Sequence, residues 1–286
     1  MRPQLKRQFQ TVSPGTALAP IGIFDSGVGG LSVLRAIRAQ LPGEPLLYLG
    51  DQGHVPYGPR PVDEVQTFSH AITRFLLAKG AKLIVVACNT ASAVALVQLR
   101  QEFPDVPFVG MEPAVKPAAE QTLSGVVGVL ATPATFQGAL YASVVARFAQ
   151  GVLVLQDTCP GLVQQIEKGA LDDPETESIL RRALQPMQER GIDTVVMGCT
   201  HYPFVIPLIE KIAGPGVRVI DPAPAIARQV GRLLETRGLR AAAQTAPPAH
   251  FYTTADPSLM SDLLPRLLGQ TGQVSRLAWQ DGKLVE

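Results

Sequence analysis

Two cysteines stand out by where they fall. Cys88 ends the apolar run of "LIVVACNTASAV" (Leu83–Val94), and Cys199 ends that of "TVVMGCTHYPF" (Thr194–Phe204). Short polar residues follow each, Asn89-Thr90-Ala91-Ser92 in the first phrase and Thr200-His201-Tyr202 in the second. A cysteine in an apolar strand is ordinarily a small buried hydrophobe, and Cys159 in "DTCPGL", which has no counterpart phrase, is read that way. Where a strand gives way to a helix, backbone N–H groups lower a thiol pKa and make thiolate available near neutral pH. Two thiols facing a small planar intermediate from opposite sides could take a proton from one face and return it to the other. That chemistry inverts a stereocentre. With an unperturbed thiol pKa of about 8.5, one must start as thiolate and the other as thiol.

The spacing says that the two phrases are copies. Cys88 and Cys199 lie 111 residues apart, as do Gly80 and Gly191, which each close a helical pattern just upstream. Downstream, "MEPA" (Met111–Ala114) faces "IDPA" (Ile220–Ala223), and upstream "IGIFDS" (Ile21–Ser26) pairs with "VGVLAT" (Val127–Thr132). Four landmarks in one order at nearly one offset indicate a two-fold duplication, with a period too long for a solenoid.

The elements that must position these residues alternate from Ile21 onward. Strands are expected at Ile21–Phe24, Pro45–Gly50, Leu83–Cys88, Pro107–Met111, Val126–Ala131, Val152–Gln156, Thr194–Gly198, Val217–Asp221 and His250–Thr254. Helical patterns such as Leu31–Gln40, Val62–Lys79, Glu175–Arg190 and Ala225–Arg237 lie between or after them. Continuously apolar strands separated by helices predict buried parallel sheets, hence an α/β fold. The expected architecture is two pseudo-symmetric, doubly wound, mainly parallel-sheet domains with the active site between them. Residues 21–112 together with 222–286 form the first, discontinuous domain, residues 113–221 the second, and residues 1–20 a loose tail. An Ala/Pro-rich link (Ala241–Ala249), a strand and a last helix complete the chain.

Composition narrows the function. The 286 residues are 46% hydrophobic and 17% charged, enough for a sizeable core. Lys+Arg 25 against Asp+Glu 24 leaves no global charge to draw nucleic acid or a membrane surface. No run approaches a membrane span, and the first twenty residues lack the apolar segment of a signal peptide. Three cysteines without a CxxC argue against a disulfide framework and for reduced thiols, so a soluble cytoplasmic protein is expected. Cys88, Cys199 and His201 do not have the spacing of a common zinc site, and only Lys116 lies near a strand end for a pyridoxal-type Schiff base. A reaction without metal or cofactor is preferred.

In open parallel sheets ligands bind outside the carboxyl ends of the strands, where Asp25, Asp51 and Thr132 also fall. "DSGVGGLSVL" (Asp25–Leu34) is a glycine loop opening a helix without the features of a phosphate or dinucleotide loop. It reads either as a turn needing positive φ or as backbone donors for a substrate carboxylate, with Asp25 and Ser26 at its rim. "GDQGHVPYGPRP" (Gly50–Pro61) could line a pocket with Asp51, Tyr57 and Gly58.

These stretches resemble a known family. "IGIFDSGVGGLSVL", "DQGHVPYG", "VVACNTASA", "CPGLVQQIE" and "GCTHYPF" look like the ordered motifs of the glutamate racemases, within the aspartate/glutamate racemase superfamily. The resemblance implies cofactor-independent interconversion of L- and D-glutamate by two thiols, supplying D-glutamate for peptidoglycan, and it allows a homodimer. By similarity, Cys88 takes the α-proton from D-glutamate and Cys199 from L-glutamate. Asp25 and Asp51 match carboxylates on the side of the first thiol, and His201 and Glu167 the assisting residues on the other. Ser26, Tyr57, Gly58, Asn89, Thr90, Thr135 and Thr200 match residues that hold substrate. "CPGLVQQIE" departs from the pattern by lacking a second proline after the cysteine. An aspartate racemase of the same superfamily, a cysteine hydrolase with His201 as base, and a non-catalytic binding module are the competing readings.

Overall fold

The computed structural model describes residues 16–286, so the first fifteen positions of the expected tail lie outside the described residues. A first run comprises β1 (Ile21–Asp25), α1 (Leu31–Gln40), β2 (Leu46–Gly50), α2 (Val62–Ala78), β3 (Leu83–Val86), α3 (Asn89–Glu102) and β4 (Phe108–Gly110). The second begins with α4 (Val115–Gln121), β5 (Val126–Ala131), α5 (Pro133–Gln137), α6 (Ala139–Phe148), β6 (Leu153–Asp157) and α7 (Leu162–Glu167). It continues through α8 (Pro174–Glu189), β7 (Thr194–Gly198), α9 (Ile206–Ala213) and β8 (Arg218–Ile220). Last come α10 (Ala223–Thr236), β9 (His250–Thr253), α11 (Pro257–Leu268), β10 (Val274–Arg276), β11 (Ala278–Gln280) and β12 (Lys283–Val285). Among the described residues no helix is long and apolar enough to cross a membrane.

The strands build two parallel sheets, ordered β10-β9-β2-β1-β3-β4 and β6-β5-β7-β8. The order β2-β1-β3-β4 thus recurs as β6-β5-β7-β8, which is the internal repeat expressed as topology. The chain beyond Pro222 returns to the first sheet: β9 pairs with β2, β10 with β9, and α10 packs on α1.

Burial on both faces explains the continuous apolar strands. Ile21 and Ile23 of β1 join a cluster with Leu34, Val230 and Leu264 from α1, α10 and α11. Phe24 faces the other way, with Ile84, Val86, Ile72 and Leu76. The first cluster also contains Leu162, Ile166, Leu180 and Met197, so the two sheet units share one apolar seam. Val127, Val129 and Tyr141 fill the far face of the second sheet.

Two local differences from expectation matter. β3 stops at Val86, two residues before Cys88, which frees the cysteine to start α3 instead of ending the strand. The chain also carries three short strands after α11 where none was expected, the last two forming an antiparallel hairpin. Three-residue strands hold too little alternation to register as a pattern. The Asp281-Gly282 turn was the legible signal: both residues have positive φ, as a two-residue type I′ hairpin requires.

Candidate active site

Cys88 is the N-cap of α3, with its Sγ accepting from the Ala91 N–H at 3.5 Å. Cys199 follows the last residue of β7, the strand at the equivalent point of the second sheet. Both thiols line one cavity with Ser26, Pro56, Tyr57, Gly58, Asn89, Thr90, Thr132, Val163, Thr200 and His201. No lysine or arginine is among these residues. Asn89 is buried, and among the described residues neither of its side-chain amide atoms has a hydrogen-bond partner, so a donor and an acceptor are available beside Cys88. The Thr90 and Thr132 hydroxyls meet at 3.0 Å, and Thr132 meets Thr135 at 3.0 Å, a chain of three hydroxyls crossing between the two sheet units. The space between these residues is about 10 Å³, room for one water molecule and not for an amino acid.

The thiols differ in their neighbours. His201 Nδ1 is 3.8 Å from Cys199 Sγ, and its Nε2 is 2.6 Å from Glu167 Oε1. Burial disfavours an imidazolium, but the hydrogen bonds and charges of Cys199 and Glu167 outweigh it and raise the His201 pKa well above 6.5. Burial likewise opposes the Glu167 carboxylate, yet donors from His201, the Val28 N–H and Gln52 keep its pKa below the ordinary value. On the other side, burial and then the Asp25 carboxylate push the Cys88 thiol well above its ordinary value. The helix N-terminus therefore does not by itself make Cys88 the readier thiolate. One N–H at 3.5 Å is a weaker effect than removal of the thiolate from water.

The glycine loop is not the positive-φ turn that one reading expected, and several of its N–H donors are already engaged within the protein. Gly27, Gly29 and Gly30 are absent from the positive-φ positions, and the N–H groups of Gly27 and Gly30 donate to Asp25 Oδ2 at 3.3 and 2.9 Å. The Val28 N–H donates to Glu167 Oε1 at 2.7 Å. A Cβ at Gly27 would overlap the Glu167 carboxylate, and one at Gly29 the His201 ring. The loop therefore holds the Asp25 and Glu167 carboxylates and, by lacking side chains, admits Glu167 and the His201 ring. Asp25, fully buried, takes a further bond from Thr200 Oγ1 at 3.3 Å; burial raises its pKa against the opposing pull of His201 and the Gly30 N–H.

Of the residues expected at the site, Cys88, Cys199, His201, Ser26, Tyr57, Gly58, Asn89, Thr90 and Thr200 line the cavity, whereas Asp25, Asp51, Glu167 and Thr135 stand behind them. Asp51 is the farthest removed in role. Its buried carboxylate is taken up by Tyr57, His54, Thr254 and Trp279, whose hydrogen bonds outweigh burial and lower its pKa. It braces Tyr57 and does not face the thiols. Pro56 and Val163 line the cavity without having been singled out, and Thr132, placed at a strand end but given no role there, lines it too. Thr132 had a usable signal, since threonine before proline is a helix start, and it caps α5.

A family profile described as Asp/Glu/Hydantoin racemase matches residues 21–230. A glutamate racemase of Roseiflexus sp. (strain RS-1) is 53% identical over 249 residues, 87% of this chain and 92% of that protein. The crystal structure of glutamate racemase isoform RacE1 from Bacillus anthracis superposes with TM-score 0.82 at 34% identity, covering 93% of this chain and 98% of that one. An Escherichia coli glutamate racemase in complex with L-glutamate and the activator UDP-MurNAc-Ala gives TM-score 0.81 at 33% identity, covering 94% and 100%. Cavity, repeat and relatives agree: the chain belongs to the Asp/Glu/hydantoin racemase family, within the glutamate racemases, and is an isomerase.

Proposed function

We propose that this enzyme interconverts L- and D-glutamate by a two-thiol mechanism without a cofactor, supplying D-glutamate for peptidoglycan. The observation that carries the proposal is the pair of cysteines from equivalent strand ends of two repeated sheets, lining one cavity. In the L-to-D direction, Cys199 acts as thiolate beside the imidazolium of His201, which Glu167 holds in orientation. Cys199 removes the α-proton, and the electron pair of the broken C–H bond spreads into the α-carboxylate. Neutral donors around the cavity, among them Asn89, Thr90 and Thr200, stabilise that charge. Cys88, kept as thiol by burial and Asp25, then delivers its proton to the opposite face. Product leaves behind a Cys88 thiolate and a Cys199 thiol, the form that accepts D-glutamate, and proton exchange with solvent restores the starting form. The domain division given above fits this reading, with one thiol on each side of the cleft. The three cysteines are all free, as a reducing cytoplasm would keep them.

The test is α-proton exchange in deuterated water, with L-glutamate, D-glutamate and aspartate as separate substrates. Wild-type protein is expected to deuterate and invert glutamate. Cys88→Ser should lose racemisation by about a thousandfold while still exchanging the α-proton of L-glutamate, and Cys199→Ser should exchange only D-glutamate. Exchange of aspartate alone would move the substrate to that amino acid; inversion surviving either substitution would end the two-thiol mechanism.

A further inference from the structure

The site has a support that reaches it from the opposite end of the chain. The C-terminal hairpin of β11 and β12 belongs to neither main sheet. It is led in by the fully buried Leu277, whose N–H donates to Thr253 O at 2.8 Å. Its Trp279 is the sole tryptophan of the chain, and the indole N–H donates to Asp51 Oδ1 at 2.9 Å. Thr254 Oγ1, also from the C-terminal segment, donates to the same oxygen at 2.6 Å. The other oxygen of Asp51 receives the Tyr57 hydroxyl at 2.6 Å, and Tyr57 is a wall of the thiol cavity. His54 completes the set at 3.0 Å. The rings close around this carboxylate: His54 stacks on Phe68 at 4.1 Å and meets Trp279 edge-on at 5.4 Å, and Phe68 lies 5.3 Å from Trp279 and 5.7 Å from Tyr57.

We infer that Trp279 is a positioning residue for the racemase site, setting Tyr57 against the substrate through Asp51. The carboxylate is fully buried, so each of its donors restricts where the others can sit. Trp279 and Thr254 anchor Oδ1 from one side, and Tyr57 is drawn to Oδ2 from the other. Loss of the indole donor leaves Oδ1 held by Thr254 and, at 3.1 Å, by His54; with one of its fixed anchors gone the carboxylate can turn, and Tyr57 follows it. Tyr57 lines the cavity with its hydroxyl committed to Asp51 and makes no hydrogen bond to the His201–Glu167 pair, so the effect belongs to substrate binding. The inference rests on the reading of this cavity as the racemisation site.

Trp279→Phe keeps an aromatic ring and deletes only the N–H donor. It is expected to raise KM for both glutamate enantiomers about fivefold with kcat changed less than about twofold, a loss of ground-state holding. In a Tyr57→Phe background the same substitution should change KM by less than about twofold, because the two act through one carboxylate. Unchanged KM in the single variant, or full additivity in the double, overturns the inference, and so does a lowered melting temperature with normal KM. A second measurement is independent of turnover. The single indole N–H resonance should shift between wild type and Tyr57→Phe; an unmoved resonance overturns the coupling. Absence of α-proton exchange in the wild type would instead overturn the racemase reading, and the indole comparison would still decide whether Trp279 and Tyr57 are linked.

Discussion

Cys88 and Cys199 occupy equivalent ends of equivalent strands and yet meet opposite electrostatics. A buried imidazole backed by a carboxylate serves one, a buried carboxylate stands near the other. Because the two enantiomers of an amino acid have equal free energies, any variant must lose kcat/KM equally in both directions. Differences between the two faces are therefore legible only in the exchange half-reactions. His201→Asn is expected to slow racemisation about a hundredfold. In a Cys88→Ser background it should slow exchange of L-glutamate as strongly, and in a Cys199→Ser background leave exchange of D-glutamate nearly intact. Equal slowing of both would assign His201 a general structural role. The pH dependence of stability has a definite sign as well. With the folded pKa of His201 raised, its contribution is complete below the ordinary 6.5 and is lost as pH climbs through the folded value, so His201→Asn should flatten the alkaline decline of the melting temperature. The identities around the thiols were legible in sequence, since the polar residues that follow each cysteine are those that line the cavity. Their protonation was not. A local pattern displays the helix start at Cys88, whereas the burial that outweighs it comes from residues scattered over the chain.

At the scale of elements, the strand-to-helix junctions do the positioning. β1 hands over to α1 through a loop whose missing side chains are occupied by Glu167 and His201. Gly29→Ala should fold and displace the His201 ring, lowering racemisation and L-glutamate exchange about as much as His201→Asn; an unaffected rate would show that the loop has slack. Apolar runs and caps made most of the architecture readable: the expected helix Leu31–Gln40 is α1 residue for residue, and β5 and β7 begin and end where their apolar runs do. The C-terminal hairpin escaped because its strands carry three residues each and are held by Trp279 and Leu277, contacts that no periodicity displays. The glycine loop was located correctly, but the side chains that fill its free space were not legible, because sequence shows that space is kept free without showing what fills it.

At the scale of the molecule, remote segments are tied to one another by buried polar contacts. Lys82, at the start of β3, forms a 2.6 Å ion pair with Glu44 between α1 and β2, and both are nearly inaccessible. Lys82 Nζ also donates to Ala17 O, and Glu44 Oε1 accepts from the Ala241 N–H, so the pair joins the first described residues to the link before β9. Lys82→Met should cost about 3 kcal/mol by leaving a buried charge unpaired, and Lys82→Met with Glu44→Leu should recover much of it, both read by urea unfolding. A double variant no better than the single would mean that the backbone contacts, not the charges, carry the tie. The small cavity between the thiols has a further effect. Thiolates are targets for oxidants and alkylating agents, and here burial shelters both Cys88 and Cys199. Their chemical lifetime is then governed by how often the cleft gapes: labelling by a bulky electrophile should level off at high reagent concentration, and that plateau is a clock for the breathing of the enzyme.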